Sequence, residues 1–160
     1  MTATSEIGLN IGDKAPQFEL PGDGGGTARL SDFAGQPVVV YFYPKDDTAG
    51  CTAEAIDFSR LEPEFAKAGA AVIGISPDTA KKHDKFRKKH ALTVALAADE
   101  ERKAIEAYGV WVEKQMYGRS YMGVERTTFL IGRDGRIAQI WRKVRVKGHA
   151  EAVLEAVRSL

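Results

Sequence analysis

The chain has 160 residues, 44% of them hydrophobic and 28% charged, which suits one domain with a buried core and excludes disorder. With 23 basic against 22 acidic side chains the net charge is +1, so no global field draws the chain to nucleic acid or anionic lipid. A single cysteine, Cys51, rules out an internal disulfide and any zinc site built on paired cysteines.

The opening MTATSEIGLNIGDKAP has no basic region followed by an apolar stretch, so no export signal is expected. The densest apolar run, Val38 to Tyr43 (VVVYFY), is too short to cross a bilayer. An unpaired thiol without an export signal points to a reducing cytoplasm. Phe18–Leu20 and Thr27–Leu30 read as short strands around the flexible turn PGDGGG, which lacks the Lys-Ser/Thr end of a phosphate loop. Pro37–Tyr43 is a continuous β-branched and aromatic run, the pattern of a strand buried on both faces. From about Cys51 to Lys67, Cys51, Ala55 and Phe58 fall at i, i+4 and i+7, with Leu61 and Phe65 extending the apolar side of a helix. Pro63 is expected to kink that helix, since it removes a donor and clashes with the preceding turn. Gly69 ends it, and Ala70–Ser76 forms a second buried strand. A helix over Thr79–His90, a short VALA strand and a helix over Glu100–Tyr108 follow. Thr127–Ile131 is a further strand, turned by Asp134-Gly135 into Arg136–Trp141. The last helix sets Ala150, Val153, Leu154 and Val157 on one face. This order predicts one α/β domain over residues 1–160, a mixed central β-sheet flanked by helices.

Cys51 follows a buried strand and the polar loop Pro44, Lys45, Asp46, Asp47, Thr48, Ala49, Gly50, which places its thiol in the first turn of a helix. The unpaired N–H groups and positive dipole end found there stabilise thiolate over thiol. Helix N-termini and nearby cations lower a cysteine pKa from about 8.5 to roughly 3.5–7.5, and the thiolate is the species that attacks. The other reading, of helix-start residues beside an incidental buried thiol, needs only Thr48 and Cys51.

The run YFYPKDDTAGCTAEA, with Pro44, Thr48 and Cys51 spaced P-x-x-x-T-x-x-C, resembles the active-site motif of the peroxiredoxins. Downstream, YGRSYMGVERTTFLIGRDGRIAQIWRKVRVKGHAEAVL resembles the closing half of the bacterioferritin comigratory protein (peroxiredoxin Q) subfamily. The likeness runs from about Ile11 to the C-terminus. It implies a thioredoxin-like fold and a peroxidase that reduces hydrogen peroxide and organic hydroperoxides through cysteine chemistry, with no metal, flavin or haem. Carried over, Cys51 is the peroxidatic nucleophile, Thr48 hydrogen-bonds the peroxide, Pro44 shields the thiolate from water and Arg126 lies beside the sulfur. Glu54, one turn on from Cys51, is placed to orient that arginine.

These residue types suit the reaction. Attack on an O–O bond moves negative charge from sulfur to the leaving oxygen, and a fixed guanidinium, a hydroxyl and backbone N–H groups stabilise that redistribution. The planar fork of arginine serves sulfur and oxygen together, which a lysine cannot do. The product is a sulfenic acid at Cys51. Many members of the subfamily carry a resolving cysteine five residues on, where this chain has Ile56, and others carry it on a later helix. With none here, the reductant is a thiol from another molecule: thioredoxin first, glutathione or glutaredoxin second. The resemblance leans toward a monomer. An alternative of another class is a peroxide sensor or redox-relay partner without steady turnover.

The stretch Lys81 to His90 (KKHDKFRKKH) holds six basic residues and Asp84, leaving 17 basic against 21 acidic elsewhere. As a helix it turns Lys81, Lys82, Lys85, Lys88 and Lys89 to one side and His83, Phe86 and His90 to the other, the pattern of a solvated face rather than of a nucleic-acid site. His83 and His90 are about 10.5 Å apart in helical rise, too far to share a metal ion. His149 is expected to cap the last helix or lie on the surface.

Overall fold

A computed structural model describes residues 9–160; the eight before them, within the segment read for an export signal, lie outside the described part. Two short strands, β1 (Glu19–Pro21) and β2 (Thr27–Arg29), pair antiparallel across the glycine turn. The centre of the molecule is a five-stranded sheet made of β3 (Val38–Phe42), β4 (Ala71–Ser76), β5 (Ala95–Ala98), β8 (Thr127–Ile131) and β9 (Ile137–Trp141). Its order is β5-β4-β3-β8-β9, with β3, β4 and β5 parallel and β8 and β9 antiparallel to their neighbours. Helices α1 (Ala49–Lys67), α2 (Ala80–His90), α3 (Lys103–Ala107) and α4 (His149–Arg158) complete the α/β arrangement.

The side-chain period of a strand divides the core in two. Val38, Val40 and Phe42 of β3 point to one face, where they pack with Ile73, Ile75, Phe129, Ile105 and Tyr108. Val39 and Tyr41 point to the other, among Phe58 and Phe65 of α1, Phe86 of α2 and Val153 and Leu154 of α4. Every residue of β3 and of β8 is buried, as the continuous apolar runs require. Gly74 of β4 faces Tyr41 so closely that a Cβ would stand 2.6 Å from the tyrosine ring.

Two expectations are corrected, the extent of the helix over Glu100–Tyr108 and the place of His149. Helix α1 continues through Pro63 as one element. The carbonyl of Ser59, which the missing proline N–H leaves without its helical donor, accepts the Thr93 hydroxyl at 3.3 Å. The helix over Glu100–Tyr108 shrinks to α3, because Arg102 takes a left-handed conformation (φ 59°) and Asp99 accepts from the N–H groups of Lys103 and Ile105. His149 is buried rather than exposed. It bonds the Thr128 hydroxyl at 2.7 Å and lies edge-on to Phe58 and Trp141. One element was not foreseen: β6 (Trp111–Met116) and β7 (Arg119–Val124) form an antiparallel hairpin that leads into Arg126.

Candidate active site

The C-terminal end of β3, the first turn of α1 and the first residues of β8 meet at one edge of the sheet. Phe42 pairs with Thr127, so Arg126, immediately before β8, stands opposite the loop that leaves β3. Half-buried Pro44 opens that loop, and Thr48 is the N-cap of α1. Its carbonyl accepts the first helical bond, from Thr52, while its hydroxyl donates to the Lys45 carbonyl at 3.0 Å and makes no capping bond. That arrangement leaves the exposed Thr48 oxygen free to accept a hydrogen bond from an incoming molecule. Ala49, Gly50 and Cys51 are the first three helical residues, so their N–H groups have no intrahelical acceptor.

Cys51 is 1% exposed and packs among Tyr41, Ala55 and Phe58. The Arg126 guanidinium donates through Nη2 to Cys51 Sγ at 3.3 Å and through Nη1 to Glu54 Oε1 at 2.7 Å. One planar group therefore spans the sulfur and a carboxylate one helical turn further on. Burial works against the Arg126 charge, but Glu54 and Cys51 outweigh it and hold the group firmly cationic. Glu54 is itself 1% exposed, with Oε2 lacking a hydrogen-bond partner; burial raises its pKa to about 7, overcoming the opposing pull of Arg126. The structure thus brings Cys51, Glu54 and Arg126 into direct contact and sets Thr48 at the head of the same helix turn.

Two contributions escaped the sequence reading. A Cβ on Gly50 would stand 3.1 Å from Arg126 Nη2, so the absence of a side chain lets the guanidinium reach the sulfur. The spacing T-x-G-C held that signal, but only the position of Arg126 shows what the glycine clears. The second is a buried network beneath the loop. Asp46 accepts from the Tyr43 hydroxyl at 2.6 Å and faces His83 Nδ1 at 2.6 Å, while His83 Nε2 faces the Ala97 carbonyl at 3.0 Å. Both histidine nitrogens meet acceptors, so both carry protons. Burial opposes that charge and Asp46 outweighs it, raising the His83 pKa. Asp78 closes the network by accepting from the Asp46 N–H at 2.8 Å and the Ser76 hydroxyl at 2.7 Å. Ligand-capable atoms of Asp46, Asp78 and His83 lie within 4.8 Å of one another, and these hydrogen bonds account for the grouping.

The exposed lysines of α2 match the expected solvated face, except that Lys89 and His90 both bind Asp47, at 2.6 and 2.8 Å. Among the described residues, no helix is long and apolar enough to cross a membrane.

Residues 11–140 match the AhpC/TSA family. Peroxiredoxin Bcp of Bacillus subtilis (strain 168) is 49% identical over 152 residues, covering 95% of this chain and 97% of that protein. The chain belongs to the peroxiredoxins. Peroxiredoxin Bcp of Escherichia coli (strain K12) is 42% identical over 146 residues, 91% of this peroxiredoxin and 94% of that one. Among solved structures, a cysteine-to-serine mutant of Xylella fastidiosa PrxQ superposes with a TM-score of 0.90 at 41% identity, over 94% of this chain and 96% of that one. The bacterioferritin comigratory protein of Xanthomonas campestris, described for alkyl peroxide reduction, superposes with a TM-score of 0.84 at 45% identity, over 89% and 90% of the two chains. The thioredoxin-like fold expected from the resemblance is the fold of these peroxiredoxins. Xanthomonas peroxiredoxin Q has been solved with either of two cysteines replaced by serine, whereas this chain has one.

Proposed function

We propose that this peroxiredoxin reduces hydrogen peroxide and organic hydroperoxides at Cys51 as a 1-Cys enzyme whose second thiol comes from another molecule. The observation that carries the reading is the Arg126 guanidinium, bonded to Cys51 Sγ at 3.3 Å while anchored on Glu54. The thiolate attacks the terminal peroxide oxygen; an S–O bond forms, the O–O bond breaks, and hydroxide or alkoxide leaves. Arg126 and the free N–H groups of the first α1 turn stabilise the charge as it passes from sulfur to oxygen. Thr48 orients the peroxide, with its oxygen accepting the substrate O–H. Pro44 keeps water from the sulfur, and Glu54 is a positioning residue for Arg126. No cofactor takes part.

The resulting sulfenic acid needs two electrons that one cysteine cannot supply. Thioredoxin is the first candidate and glutathione or glutaredoxin the second, acting on a monomeric, single-domain protein in the cytoplasm. Support comes from the cysteine count and from Ile56, 43% exposed, at the position where many relatives resolve the sulfenic acid.

A peroxidase assay with thioredoxin, glutaredoxin and glutathione as donors tests the reading. Steady peroxide consumption with at least one donor is expected, and Cys51→Ser should abolish it with all of them. Mass spectrometry of peroxide-treated protein should find the added oxygen on Cys51. An unmodified thiol overturns the reading, and one oxidation per chain without turnover replaces it with a sensor.

A further inference from the structure

Lys114 lies on β6 opposite Tyr121 of β7, in the hairpin that ends just before Arg126. Its stem crosses the backbone of Gly123: a Cβ there would stand 3.3 Å from Lys114 Cδ and 3.6 Å from Cε. Glycine at 123 therefore leaves the channel along which the half-buried stem runs back toward the base of the hairpin. There the ammonium feels Arg126, Cys51 and Glu125; burial and the guanidinium both push its pKa down. Among the described residues, Lys114 forms neither an ion pair nor a side-chain hydrogen bond, although a half-buried ammonium gains most from an anionic partner.

A second observation extends the charge. The N–H of Val144 donates to the Arg126 carbonyl at 2.9 Å, which ties the segment after β9 to the same edge of the sheet. Lys143, Arg145 and Lys147 of that segment are exposed, and none has an ion-pair partner among the described residues. Lys45, exposed in the loop before α1, adds a cation next to Pro44, and its carbonyl accepts the Thr48 hydroxyl. Three separate parts of the chain that adjoin Arg126 or the Cys51 helix thus carry cations; of the nearby acids, Glu54 is committed to Arg126 and Asp47 to Lys89 and His90, which leaves Glu125 as the carboxylate that acts on Lys114.

We propose that Lys114 is a specificity residue for the reductant, selecting a thiol that carries carboxylates close to its sulfur. The inference rests on the external-thiol reading above. In the step concerned, the reductant's thiolate attacks the Cys51 sulfenic sulfur. An S–S bond forms, the S–O bond breaks, and the leaving hydroxide takes a proton to become water. A second equivalent of thiol then releases Cys51 as a thiol and forms the reductant's disulfide. Cations around a narrow approach raise the local concentration of an anionic reactant and lower that of a cationic one.

The test oxidises Cys51 with peroxide and follows its reduction by mercaptosuccinate, β-mercaptoethanol and cysteamine, which are anionic, neutral and cationic. Comparing each thiol between variants cancels its intrinsic reactivity. Lys114→Gln should slow mercaptosuccinate by roughly fivefold at low ionic strength and less at high salt, where charges are screened. β-Mercaptoethanol should change by less than about twofold, cysteamine should not slow, and Lys114→Arg should restore the wild-type order. Gly123→Val keeps the charge but displaces its stem, and should reproduce the loss. A parallel loss with thioredoxin assigns the negative charge to an acidic protein surface, whereas a loss confined to mercaptosuccinate assigns it to a small thiol; either upholds the proposal. A mercaptosuccinate rate that falls no further than the β-mercaptoethanol rate in both variants overturns it. Failure of peroxide to oxidise Cys51 would instead strike the underlying reading, and it is seen separately in the mass of the treated protein.

Discussion

At position 50 a side chain would meet the guanidinium that bonds the sulfur, so one missing Cβ is part of the site's geometry. Alanine is the better helix former, by about 1 kcal/mol in a helix interior and less in a first turn. Gly50→Ala should therefore hold or raise the thermal midpoint while lowering kcat/KM for peroxide. Stopped-flow oxidation read beside a thermal melt separates the two effects, and an undiminished kcat/KM would remove Gly50 from the site. Arg126→Ala should cost on the order of 10²–10³ in kcat/KM, the usual effect of losing one charge-stabilising donor. Arg126→Lys should recover little of it, since an ammonium lacks the planar fork that reaches Cys51 and Glu54 together. At this scale much was legible in the sequence. Pro44, Thr48, Cys51, Glu54 and Arg126 form a local motif plus one downstream arginine, and the structure sets the last three within bonding distance. Gly50 and the Asp46–His83 pair were not legible, because each acquires its partner only through tertiary contacts that no spacing encodes.

Among the elements, α1 shows how a tertiary contact answers the donor that a proline removes inside a helix. Pro63 removes the donor that Ser59 would have used, and in solvent that loss favours a bend. Here the loop before β5 supplies the Thr93 hydroxyl to the Ser59 carbonyl, and the Ser59 hydroxyl accepts in return from the N–H groups of Thr93 and Val94 at 3.0 and 3.1 Å. The far half of α1 is thereby fastened to the β5 side of the sheet. Thr93→Val removes one of these three bonds without changing shape and should cost about 1 kcal/mol, measured as a shift of the urea midpoint at constant m-value. No shift would mean that the proline is accommodated by α1 alone. The β6–β7 hairpin was illegible for another reason. Its strands alternate weakly, with Met116, Tyr121 and Met122 exposed and Tyr117 96% exposed at the turn, so no buried face leaves a periodic signal. Strands β3 and β8 of the central sheet read clearly because both their faces are buried.

Across the whole molecule, the groups buried on the α1 side of the sheet set opposing demands on pH. Glu54 has its pKa raised to about 7 by burial, so the folded state holds its proton more tightly than the unfolded chain. Its contribution is complete below the ordinary carboxylate value and is lost as pH rises through about 7. His83, also raised, contributes in the same direction, fully below its ordinary value and lost as pH rises through the folded one. His149 runs the other way. Burial, with Arg126 adding to it, lowers its pKa to about 4, so its contribution is present above the ordinary histidine value and is lost as pH falls toward 4. Between the two ordinary values the losses of Glu54 and His149 have opposite slopes, and wild-type stability should change little there. Each replacement should expose the slope that remains. His149→Phe removes the acid-side loss and should leave a protein whose stability falls steadily from about pH 4.5 to 7, by on the order of 3 kcal/mol. Glu54→Gln should do the reverse, with stability rising from about pH 4 to 6.5. Chemical denaturation at half-unit pH intervals reads both slopes. Parallel profiles for the two variants would show that neither group carries its shift into the stability of the fold.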